Sequence, residues 1–323
     1  MKALWCAPRG LFLLYRGCHE QSEVIEQTGE AAVRLRRRRR RTPWGTVLLL
    51  VLPFIIVYCA FLIYPTVRVI TLSFTNSDIA GRGHFIGTEN YVRLAHDALF
   101  WASLWHTVYF IILTVVPNTL VGLVFALMIM RLHRLRGFVM ALLFLPYVLP
   151  VSVVTQIWIW VLSAAYGIIN FLVHLKVNWF QDPVWAMPSV AFVTIWWTVG
   201  FNVLMFIAGL QAIPAEYYEA AALDGADRGF RVFRFFTWPL LWPVTSLVLV
   251  LQLILQWQIF NQVYLLTAGG PFNSTIVVLM HMYVQAFTRY KGGYAATISI
   301  VLFALILVTS LLQIRLVRFR RAE

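Results

Sequence analysis

Residues 107–130 read TVYFIILTVVPNTLVGLVFALMIM, 24 positions without a single Asp, Glu, Lys, Arg or His. A helix of that length rises roughly 36 Å, enough to cross a hydrocarbon core of ~30 Å. Five similar stretches lie at about 45–67, 138–162, 188–211, 244–266 and 294–314, and all thirteen acidic residues fall outside them. Backbone polar groups in lipid must be satisfied within the segment, so each stretch is expected as a helix. Pro53, Pro117, Pro146 and Pro150 lie inside them and predict kinks rather than breaks. The expected fold class is an all-α membrane protein of six transmembrane helices. With 61% hydrophobic and only 12% charged residues, against roughly 25% charged in soluble domains, the chain is neither a soluble enzyme nor a disordered basic protein.

The net charge of +13 raises nucleic-acid binding, but its placement argues against it. Seven arginines, Arg34 and Arg36 to Arg41, stand just before the first apolar run, where a basic cluster fixes orientation and touches anionic lipid. Of the 26 Lys and Arg, 20 lie in residues 1–44, 131–137, 213–243 and 315–323, and six (Arg68, Arg82, Arg93, Lys176, Arg289, Lys291) on the opposite side. The positive-inside bias predicts both termini in the cytoplasm. The expected organisation is a disordered cytoplasmic extension at 1–44, a six-helix domain at 45–315 and a basic cytoplasmic tail at 316–323. The apolar patch Leu11–Tyr15 is too short for a signal-peptide core, and residues 1–33 are non-native if translation starts further along. Cys6, Cys18 and Cys59 have neither disulfide-framework nor metal-type spacing.

The long loop at 213–243, expected on the cytoplasmic side, carries the most information. Pro214 suits a first helical turn, and Glu216 and Glu219 follow near the positive end of its dipole. Gly225 permits a sharp turn. A second amphipathic segment has Phe230, Phe233 and Arg234 at i, i+3 and i+4, and Pro239 is expected to end it. The object predicted is a helix, a glycine turn and a second helix under the membrane, a projection suited to a groove on a soluble partner.

Glu219-Ala220-Ala221, then Asp224-Gly225-Ala226, then Pro239 resembles the EAA loop of ABC importer permeases, with Trp238 where that family usually carries Leu. Phe85-Ile86-Gly87-Thr88-Glu89-Asn90-Tyr91, with Phe100-Trp101 and Thr107, is similar to the first external loop of the carbohydrate-type members. Val263 to Pro271, followed by Ser274-Thr275, is similar to the loop after their fifth core helix. The resemblance covers about 45–323 and is nearest to the maltose and glycerol-3-phosphate permeases. It implies the type I importer permease fold, a second permease subunit, two copies of an ABC ATPase that bind the ATP and Mg, and an extracytoplasmic solute-binding protein. It further implies that Glu219, Ala220, Ala221, Asp224, Gly225, Ala226 and Pro239 couple the chain to the ATPase, with Glu219 paired to a basic residue there. The solute implied is a sugar, a related polyol or glycerol phosphate, with a non-carbohydrate solute as the alternative.

Asn118, Gln156, Asn202, Gln252, Gln256 and Asn261 are uncharged polar residues within spans. Such groups either join helices or line a wet cavity, and both readings stand for each of them. On one continuous helix Gln252 and Gln256 share a face, with Trp257 and Asn261 about 100° further round. That half-circle offers amides for hydroxyls and an indole for a sugar ring. The resemblance adds Gly200, Phe201 and Asn202, which lie where the family often contributes to its substrate cavity.

Absent motifs bear on the energy source. Proton- and sodium-coupled carriers place carboxylates inside spans, and these spans have none. No Gly-Lys-Ser/Thr phosphate loop is present, since Lys2, Lys176 and Lys291 follow Met, Leu and Tyr. An intramembrane protease is disfavoured too: no His-Glu-x-x-His occurs around His281, no paired Asp lies in a span, and His106 sits at a span edge. The chain is expected to be a non-catalytic subunit without a cofactor of its own.

Overall fold

A computed structural model describes residues 44–132, 134–174, 176–223 and 229–319, excepting the side chains of 44, 46, 47 and 316–319. The expected extension up to residue 43, the turn residues Asp224, Gly225 and Ala226, and the end of the tail at 320–323 lie outside these described residues. Among the described residues the regular structure is helical, joined by turns and irregular loops, save one antiparallel bridge between Thr75 and Phe85.

Two compact units divide after Thr66. The first holds α1 (Trp44–Tyr58), through which Pro53 passes without a break, and a π-helical turn at Cys59–Ile63. The second begins within α2 (Tyr64–Ser73) and contains α3 (Glu89–Ala95), α4 (Ala98–Met130), α5 (Arg136–Val148) and α6 (Val151–Val161). It continues with α7 (Ile168–Val173), α8 (Ala186–Gln211), α9 (Ala215–Leu223) and α10 (Phe230–Val232). A π-helical turn at Phe233–Thr237 leads into α11 (Trp238–Trp257), followed by α12 (Asn261–Leu266), α13 (Val278–Tyr283) and α14 (Gly292–Phe319). Among the described residues five helices are long and apolar enough to cross a membrane, and α5 with α6 makes a sixth if that bent pair is one span.

Three elements depart from expectation. The third span does not merely kink: α5 and α6 meet at 99°. Pro150 has no N–H to continue the ladder and pushes Leu149 into the extended region (ψ 140°). The Leu149 carbonyl left free at the corner accepts a 3.2 Å hydrogen bond from the Trp197 indole of α8. The fifth span is not one helix over 244–266; it runs helically from Phe230 to Trp257 and breaks before Asn261. Pro239 therefore does not end the second loop segment. It occupies the first turn of α11, directly after the π-helical turn at Phe233–Thr237, and the helical run continues through it.

α4 starts earlier than its apolar run because the Asp97 carboxylate caps it, accepting from the backbone N–H groups of Leu99 (2.9 Å) and Phe100 (3.3 Å). The helix passes Pro117 unbroken, and its buried hydroxyls are satisfied locally. Thr107, Thr114 and Thr119 each donate to the carbonyl four residues back at 2.7–2.8 Å. α8 packs across α4, α5 and α11, and small residues set how near the backbones come. A Cβ on Gly122 would lie 2.8 Å from that of Asn202, and one on Gly200 would strike the Leu143 carbonyl of α5. Apolar clusters fill the layers between: Val203, Phe206 and Leu241 at one end, Phe110, Val154, Val190 and Val263 at the other.

Candidate functional site

The polar residues of α4, α8 and α11 converge on each other. Gln252 Nε2 donates to Asn202 Oδ1 at 2.8 Å, Gln256 Nε2 donates to Gln252 Oε1 at 3.0 Å, and Asn118 Nδ2 reaches the same oxygen at 3.5 Å. Asn118 Nδ2 also donates to Thr198 Oγ1 at 2.8 Å, and Asn202 Nδ2 to the Asn118 carbonyl at 3.4 Å. None of the four amide residues is more than 4% exposed. Two buried polar atoms, Asn118 Oδ1 and Trp257 Nε1, find no hydrogen-bond partner among the described residues. This knot ties three helices together, and it holds most of the amides that the sequence singles out for a transport path.

The remaining path candidates separate from it. Asn261 belongs to α12, beyond the break, and is exposed; the half-circle expected on a continuous helix does not form. Trp257 is buried at the last turn of α11. Gly200 faces the α5 backbone, and the Phe201 ring stacks on Tyr147 of α5 with centroids 5.4 Å apart. Gln156 is exposed on α6.

In the loop at 213–243, α9 presents Glu219 and Ala220 outward and buries Ala221 completely. Its final residue, Leu223, is 90% exposed. A hollow of about 780 Å³ lies between the later part of the loop and α4, lined by Leu127 and Arg131 at the end of α4 and by Gly229, Phe230, Val232, Phe233 and Thr237. Gly229 turns into α10 with φ of 78°, a left-handed value that glycine takes without strain.

A second polar centre lies at the opposite end of α4. The Asp97 Oδ2 atom accepts from the Tyr294 hydroxyl of α14 at 2.5 Å and from His281 Nε2 of α13 at 3.2 Å. Arg93 of α3 lies 4.9 Å from the centre of the Tyr294 ring. Val278 N–H donates to Thr107 Oγ1 (3.0 Å), and His106 Nδ1 meets the Ile276 carbonyl (3.1 Å), so α13 and the residues leading into it are pinned to α4 and its cap at three points. Burial raises the Asp97 carboxyl, but the Tyr294 hydroxyl, the Phe100 N–H, the His281 ring and the Leu99 N–H together hold it below its ordinary value. Burial dominates at His281 and pushes the imidazole below its ordinary value, against the pull of Asp97. Sequence reading misses this centre because its members lie 184 and 197 positions apart. Its one local signal is Asp97 standing as a cap before an apolar run.

Comparison with known proteins gives concordant findings. Residues 118–321 match the model of the binding-protein-dependent transport system inner membrane component family. The sulfoquinovosyl glycerol transport system permease protein of Agrobacterium fabrum is 32% identical over 276 residues, 84% of this chain and 89% of that one. The trehalose/maltose transport system permease protein of Thermococcus litoralis is 33% identical over 282 residues, 84% and 94% of the two chains. The sn-glycerol-3-phosphate transport system permease protein of Salmonella typhi is 33% identical over 274 residues, 83% and 92%. Among solved structures, a chain of a bacterial ABC transporter involved in alginate import superposes with a TM-score of 0.76 at 23% identity, covering 88% of this chain and 98% of that one. At that identity the likeness speaks to the fold.

Proposed function

The chain belongs to the family of binding-protein-dependent transport system inner membrane components, and from that premise we propose that it forms one half of the translocation pathway of an ATP-driven importer for a sugar, a polyol or a glycerol phosphate. The three relatives above carry a sugar or glycerol conjugate in their names, which supports the solute class. The complex proposed contains a second permease, two ABC ATPase subunits holding ATP and Mg, and an extracytoplasmic binding protein. Both termini and the loop at 213–243 lie in the cytoplasm, as the distribution of Lys and Arg supports.

The observation that carries the coupling role is the posture of α9. Ala221 anchors the helix by burial, while Glu219, Ala220 and Leu223 are exposed. A short helix held on one side and bare on the other suits a groove in a soluble subunit. Closure of the ATPase pair on ATP moves this helix, and the pathway turns outward to receive solute. Only a few kcal/mol need separate the two states, supplied by differential contacts with ATP. The chain's own contribution is mechanical.

The test is uptake by the complete transporter in proteoliposomes, with labelled maltose, trehalose and glycerol 3-phosphate outside and ATP within. The expected result is ATP-dependent accumulation of at least one of them, lost on Glu219→Lys while the complex still assembles. Accumulation that needs no ATP, or that Glu219→Lys leaves intact, would overturn the assignment.

A further inference from the structure

The amides of the buried knot are occupied by one another, so they offer nothing to a solute in this conformation. Gln156 differs. It lies on α6, whose inner side buries Val154, Thr155 and Trp158, while Ser152, Gln156 and Trp160 stand exposed on the other. Their spacing, i, i+4 and i+8, sets them one above another on one side of the helix. The corner at Pro150 swings α6 out of line with α5. The Trp160 indole is 66% exposed and meets the Tyr166 ring edge-on at 6.1 Å between centroids. Ser152, Val153, Gln156, Ile157, Trp160 and Val161 line a hollow of about 590 Å³.

Where the bent pair of α5 and α6 is one span, an amide turned toward hydrocarbon without a partner is strongly disfavoured, so this face meets water or polar groups. The mixture on it is specific. Val153, Ile157 and the indole offer apolar surface for the C–H faces of a ring, while the amide and hydroxyl offer donors and acceptors without a counter-charge. We propose that the Ser152–Gln156–Trp160 face of α6 is a carbohydrate contact in the translocation pathway, an inference that rests on the reading of the chain as a sugar permease.

The experiment uses the complete transporter with Cys6, Cys18 and Cys59 replaced by serine. Gln156→Cys is exposed to a membrane-impermeant methanethiosulfonate, with Thr155→Cys, buried on the same helix, as the control. The expected result is rapid labelling of Gln156→Cys in the outward-facing state and none of the control. The imported sugar should slow that labelling about tenfold at saturation, equivalent to the occupancy arithmetic of a site mostly filled. Trp160→Ala should raise the half-saturating concentration for import about tenfold, the scale of one lost aromatic contact, and Trp160→Phe should restore it to within about twofold. A Gln156→Cys as inert as Thr155→Cys, or one that cross-links to the second permease, assigns the face to lipid or to a subunit interface and overturns the proposal. Import confined to non-carbohydrate solutes overturns the sugar reading itself, and the uptake panel reports that independently of labelling.

Discussion

Gly200→Ala is the sharpest probe of how α8 is seated. The new methyl carbon would meet the Leu143 carbonyl oxygen head-on, with the Leu143 carbonyl carbon and the Phe144 Cα both at 2.8 Å. Ordinary contact begins at 3.4 Å, so those two atoms alone require the backbones to part by about 0.6 Å, and the nearer carbonyl oxygen requires more. No flexible side chain is available to yield. Overpacking of this kind costs about 3 kcal/mol at the upper end of its range, and the better helix propensity of Ala returns ~1 kcal/mol, leaving a net loss of about 2 kcal/mol. For a domain of this size that corresponds to a fall of about 4–8 °C in apparent melting temperature. Gly137→Ala is the matched control: it lies in the first turn of α5 with nothing within 4 Å, and should hold or slightly raise the melting point. The assay is thermal unfolding of the detergent-solubilised complex followed by tryptophan fluorescence. If Gly200→Ala melts with the parent protein, the close crossing of α5 and α8 is not what requires glycine there. If it also loses uptake, Gly200 serves the pathway directly.

Gln252→Leu removes the bonds to Asn202, Gln256 and Asn118 together and leaves Asn202 Oδ1 without its donor. At ~0.6–1.7 kcal/mol per interhelical bond in a membrane the loss should be about 2–3 kcal/mol, against about 1 kcal/mol for Gln256→Leu, read by denaturant titration. At the Asp97 centre the folded chain holds His281 below its ordinary value. The unfolded chain therefore takes up the proton first, and stability present above about pH 6.5 is lost as pH falls through the lowered folded value. Melting temperature should fall on acidification from about pH 7 to about pH 5, and His281→Asn should flatten that slope; Asp97, also depressed, contributes only in stronger acid. Gly225→Val should leave the helices assembled but uncouple ATP hydrolysis from uptake, seen as hydrolysis continuing while accumulation stops.

The spans are legible because nothing but a helix satisfies twenty uncharged residues in lipid, and α9 is legible through Pro214, Glu216 and Glu219. What lies beyond the sequence is how one element meets another. Pro117 and Pro150 look alike in an apolar run, yet α4 passes the first unbroken and the chain turns a corner at the second. At that corner the Leu149 carbonyl is satisfied by Trp197 from 48 positions away, a partner that no local pattern announces. The amides of α11 are readable as polar, but their partners sit on α4 and α8, up to 134 positions distant. Asn261 is misplaced by periodicity because the helix stops at Trp257, and no glycine or proline marks that stop.

Alternating access asks some helices to move and others to stay. Cross-braced by side-chain amides well inside the bundle, α4, α8 and α11 would have to move together, since sliding any one of them would strip polar groups bare in an oily medium. The compliant joint must then lie where contacts are apolar and interchangeable.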